Sequence, residues 1–128
     1  MRSPKVLRTT VGFFLLGLVL FANCAYPQDT SCKDATTTAA MRACENSRYE
    51  ESEHRLNSEY GQLMKHLDPF RQEKLRAAQR AWLAFRNANA DFLASEAQGG
   101  SLAPLIKVTA LADMTEARAT ELAKLGKQ

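Results

Sequence analysis

Residues 69–96 run without a glycine or an internal proline, and within them lies Ala78-Gln79-Arg80-Ala81-Trp82-Leu83-Ala84-Phe85-Arg86, which holds the chain's only tryptophan. Leu75, Ala78, Trp82, Phe85, Asn89 and Phe92 recur there at steps of three and four. That period is helical, and an apolar stripe of this length must be covered by partner helices. Asn89 is the one polar member of the stripe. Trp82 and Phe85 could be read as a binding anchor, because tryptophan is enriched at interface centres. Their place on a regular stripe favours the core.

The neighbouring segments follow the same rule. Tyr49, Glu53, Leu56, Tyr60, Leu63 and Leu67 step along a first helix over residues 41–66, with Thr36, Thr37 and Thr38 as candidate N-caps. Asp68-Pro69 restarts the chain, with Asp as N-cap and proline at the first helical position. Gly99-Gly100-Ser101 ends the second helix. A third is predicted over Leu102–Leu125, with Leu105, Val108, Leu111, Leu122 and Leu125 on its apolar face. Strand alternation and internal repeats are absent. The pattern predicts an all-α fold, a small antiparallel three-helix bundle in one domain over residues 26–128.

The first 25 residues read as a signal peptide. Arg2, Lys5 and Arg8 precede an apolar run over residues 11–22, too short to span a bilayer comfortably. Cleavage after Ala25 gives a periplasmic or secreted product. Acylation of Cys24 gives a lipid-anchored one, and an uncleaved leader would act as an N-terminal anchor. Either of the first two outcomes leaves Cys32 and Cys44, an even pair in an oxidising compartment, and predicts a disulfide between them. The formal charge of +3 comes from the leader: its three basic residues leave with it, and 14 basic and 14 acidic residues remain. A neutral domain does not indicate a nucleic-acid binder.

No nucleophile–base pair, phosphate loop or zinc motif is visible, which argues against an enzyme and against a cofactor. Glu51 and His54 form a lone Glu-x-x-His, whereas a di-metal bundle needs two. Arg86 and Arg118 fall beside apolar faces and call for acidic partners; for Arg86, Glu116 and Glu121 are candidates. Glu45, Glu50, Glu51 and Glu53 make an acidic run relieved only by Arg48. It is either an ordinary solvated face or a patch that steers a basic protein partner.

Several short motifs follow in order: Cys32, then Met41-x-x-Cys44, Leu56-Asn57-x-x-Tyr60, Gln79-x-x-Trp82-x-x-Phe85-Arg86, Gly99-Gly100-Ser101 and Thr115-x-x-Arg118-x-x-x-Leu122. In this order the chain resembles the LprI-like lysozyme inhibitors, small exported bacterial proteins. The resemblance implies a protein partner, a lysozyme, blocked by protein–protein contact. It also implies that Leu56, Tyr60, Gln79, Trp82, Phe85, Arg86, Thr115, Arg118 and Leu122 form the family's core. Members often carry a second cysteine pair, whose positions correspond here to Asn89 and Ala110, so helices two and three are expected to be held by packing alone. A non-catalytic envelope module, or an immunity-type partner of a secreted toxin, is the alternative function.

Overall fold

The computed structural model describes residues 32–127; the leader, Cys24 and the lead-in to Cys32 lie outside them. A short 3-10 turn, η1 (Cys32–Asp34), precedes three helices: α1 (Thr38–Lys65), α2 (Pro69–Ser95) and α3 (Leu102–Leu125). Of the three candidate threonines, Thr37 is the cap of α1, its hydroxyl accepting from the Ala40 N–H at 3.1 Å. Asp68 caps α2 by accepting from the Arg71 N–H at 3.0 Å, with Pro69 at the first turn. Gly99 has φ +82°, a left-handed conformation that closes the α2–α3 turn and favours glycine.

Cross-helix bonds set the topology. Arg86 meets Glu53, and Gln72 donates to the carbonyls of Met64 and Leu67, so α2 runs antiparallel to α1. Arg118 donates to Gln79, Arg86 to Thr115 and Asn89 to Met114, so α3 runs antiparallel to α2. Arg48 pairs with Glu116 and Arg55 with Thr120, which leaves α3 parallel to α1. The third helix is the central one, packed extensively on α1 and also on α2.

The core holds Leu56, Leu63, Ala119 and Leu122, with Tyr60, Leu67, Leu75 and Trp82 packed against it. Each fully buried leucine contributes about 1.5–3 kcal/mol of transfer free energy. The α1 stripe lies as its period predicts. The buried line of α3 is Val108, Ala112, Thr115, Ala119 and Leu122. Leu125, expected on that face, is 42% exposed. Small residues replace leucine along this line because a helix wedged between two others needs close axes.

Helix α2 is turned away from the expected stripe. Its inward line is Leu75, Gln79, Trp82, Arg86 and Ala90, whereas Ala78, Phe85 and Phe92 face outward, the two phenylalanines 60% and 68% exposed. Phe85 is therefore not a core residue. Consecutive helical residues lie about 100° apart, so Arg86 and its neighbour Phe85 cannot both point inward. Arg86 takes the inner place because α1 and α3 both offer it partners. Cys32 and Cys44 are bonded, with a Cα–Cα distance of 5.6 Å, and tie η1 to the first turns of α1.

Candidate functional site

Arg86 is 5% exposed, and its surroundings account for every part of the guanidinium. Nη1 donates to Glu53 Oε1 and, at 3.0 Å, to Thr115 Oγ1. Nε and Nη2 both donate to Asn87 Oδ1 at 3.2 Å. The cation also lies over the rings of Tyr49 at 5.5 Å and Trp82 at 5.2 Å. One residue thus joins all three helices. The partner is Glu53, not Glu116 or Glu121. The signal for it was present in the sequence: Glu53 is the one carboxylate on the α1 stripe, and a carboxylate in such a place requires a cation.

Arg118 occupies the next level. Its Nε donates to Gln79 Oε1 at 3.2 Å, its Nη1 pairs with Glu121 at 2.8 Å, and its guanidinium stands 5.9 Å from the Trp82 ring. Trp82 is thereby held between two arginines with its body against the leucine cluster. Eight of the nine motif residues, all but Phe85, come together around this centre or the cluster beneath it. Helices α2 and α3 are joined by more than packing: besides these bonds, Asn89 Nδ2 donates to Met114 Sδ at 3.3 Å and Lys107 pairs with Asp91.

The four acids of α1 separate into two kinds. Glu53 is engaged by Arg86, and Glu45 by Arg48 at 2.8 Å. Arg48 also binds Glu116 at 3.0 Å and Asp113, so three carboxylates converge on one cation. Glu50 and Glu51 are exposed and make no ion pair among the described residues. His54 is exposed beside them, and no group of three His, Cys, Asp or Glu among the described residues is placed to hold a metal ion. A groove between the C-terminal ends of α1 and α3, lined by Glu59, Leu63, His66 and Leu122, encloses about 100 Å³. Small-molecule sites usually enclose roughly 300 Å³ or more.

Burial raises the pKa of Tyr49 above its ordinary 10.0; the Glu53 carboxylate adds to this and Arg86 opposes it. The folded chain therefore keeps the phenolic proton after the unfolded chain has lost it. Stability from this group is whole below pH 10 and falls as pH rises beyond it. Urea midpoints measured from pH 9 to pH 11.5 should fall more steeply for the wild type than for Tyr49→Phe (a range of about one unit below and above the tyrosine pKa). Equal slopes would show that the ring titrates as if in water.

The chemistry of this centre is structural. Two arginines, two carboxylates, a threonine and two amides satisfy one another across three helices, and the described side chains leave no buried polar atom without a partner. Residues 30–122 match the family described as Lysozyme inhibitor LprI. An uncharacterized protein of Rhizobium meliloti (strain 1021), R02472, is 26% identical over 117 residues, covering 81% of this chain and 84% of its own. No solved structure matches significantly. With the family match spanning most of the chain, the chain belongs to the LprI lysozyme-inhibitor family.

Proposed function

We propose that this protein is exported, with residues 1–25 removed as a signal peptide, and that it inhibits a lysozyme by covering the enzyme's substrate cleft. The family match over residues 30–122 carries the reading. An inhibitor that works by occlusion needs outward-facing surface, and the described helices supply it.

Glu50 and Glu51 are the part of the α1 acidic run left for a partner, since Glu45 and Glu53 are used within the fold. Many lysozymes are basic, and unpaired surface carboxylates accelerate encounter with a basic protein at low salt. The turn over residues 97–104 is a second contact region, set at the end of the bundle where α2 gives way to α3.

The test is a lysis assay with the purified mature chain and both animal-type and bacterial lysozymes. Slower lysis that saturates with inhibitor is expected; unchanged lysis at large molar excess rejects the reading. The variant Glu50→Lys with Glu51→Lys should associate several-fold more slowly at low salt, with the difference fading as salt is raised. Identical association rates would remove these two residues from the contact.

A further inference from the structure

The outward face of α2 carries a second apolar line. Phe70, Ala77, Ala81, Phe85, Ala88 and Phe92 recur at steps of seven, four, four, three and four, and all are exposed. Phe70, Phe85 and Phe92 keep 68%, 60% and 68% of their surface open. Lys74 fills the gap between Phe70 and Ala77, its ammonium 5.1 Å from the centre of the Phe70 ring. Three of the seven large hydrophobic residues left exposed among the described ones therefore stand on one face of α2.

We propose that this line is a homodimer face, on which α2 of a second copy packs antiparallel across a two-fold axis at Ala81. The stripe is self-complementary about that residue. Phe70 and Phe92 stand equally far from Ala81 along the helix, so each meets the other's counterpart across the axis. The same operation sets Phe85 over Ala77, a ring against a methyl, and leaves Ala81 facing itself. Small residues at the crossing let the axes approach closely, and an isologous contact closes at two copies.

The available area agrees with a dimer of moderate strength. The open parts of the three phenylalanines amount to about 400 Å², at roughly 200 Å² for a whole side chain. The exposed alanines between the rings add to this on each copy, which brings the surface available to the pair toward the roughly 1,200 Å² at the lower edge of stable interfaces. The balanced charge of residues 26–128, 14 basic against 14 acidic, adds no long-range repulsion between copies.

Sedimentation equilibrium of the mature chain tests this. The mass should rise from one chain to two between about 1 and 200 μM, as for a micromolar association. Phe85→Glu and Phe92→Glu should each stay at one chain throughout, with helical circular dichroism unchanged. Mild oxidation of Ala81→Cys should give a covalent dimer, and Arg80→Cys, about 100° around the helix, should not. A wild-type chain that remains single throughout overturns the proposal, as does a dimer that survives Phe85→Glu. A single-chain wild type whose binding to lysozyme or to anionic vesicles is lost in Phe85→Glu would also overturn it, and would assign the stripe to that partner.

Discussion

Arg86→Ala should destabilise the protein by about 3–5 kcal/mol, the usual cost of removing one member of a buried charge pair. A domain of this size holds roughly 5–15 kcal/mol in all, so the variant should unfold at a much lower urea midpoint or be recovered poorly. The loss has several parts. Glu53 and Thr115 lose a donor they share, Asn87 loses two, and the faces of Tyr49 and Trp82 lose the cation stacked on them. Lysine should not rescue, because an ammonium cannot extend a planar fork to three acceptors at once. Arg86→Met combined with Glu53→Leu should recover most of the loss, since it removes both charges together and keeps the volume. A single Arg86→Ala variant within 1 kcal/mol of the wild type would mean that the centre is not what holds the helices in register.

That centre also explains which parts of the fold were legible beforehand. Helix limits were readable because local chemistry sets them: the Asp68 side chain caps α2, and Gly99 supplies the turn that ends it. The facing of α1 was readable because its stripe contains one choice of line. On α2 two apolar lines compete, one through Leu75 and Trp82, the other through Phe85 and Phe92. Hydrophobic period counts the phenylalanines and cannot see that Glu53 and Thr115, distant in sequence, draw Arg86 inward. The rotation is therefore a tertiary decision made by a charge. Similarly, leucine counting on α3 overlooked Ala112 and Ala119, which are buried because they are small.

The same separation bears on function. The nine residues of the ordered sequence motifs are, Phe85 apart, spent on the scaffold: they pair with one another or pack on the leucine cluster. In the proposed inhibitor, recognition of a partner would use what they leave over, such as Glu50, Glu51 and the α2–α3 turn.

Replacing Asn89 and Ala110 together by cysteine should join α2 to α3 by a second disulfide and raise stability by about 3 kcal/mol. The magnitude follows from closing a loop of some twenty residues in the unfolded chain; for a domain of this length it corresponds to a rise in Tm of roughly 10–20 °C. The placement follows from neighbouring bonds. Asn89 lies between Arg86, which reaches Thr115, and Asp91, which reaches Lys107. Its level on α3 therefore falls between Lys107 and Thr115, a stretch that contains the buried Ala110, and its own hydrogen bond goes to Met114, one turn further on. The cost of losing that bond to sulfur is small beside the gain. The bridge should form during oxidative refolding, lower the mass by two hydrogens and raise Tm only without reductant. Cys32→Ser with Cys44→Ser should move Tm the other way by a comparable amount, since its loop is shorter but of the same order. Adding the new bridge to that variant should restore most of what it loses. If the engineered pair stays reduced under conditions that oxidise Cys32 and Cys44, the two positions do not face each other, and the correspondence with the family's second cysteine pair fails with it.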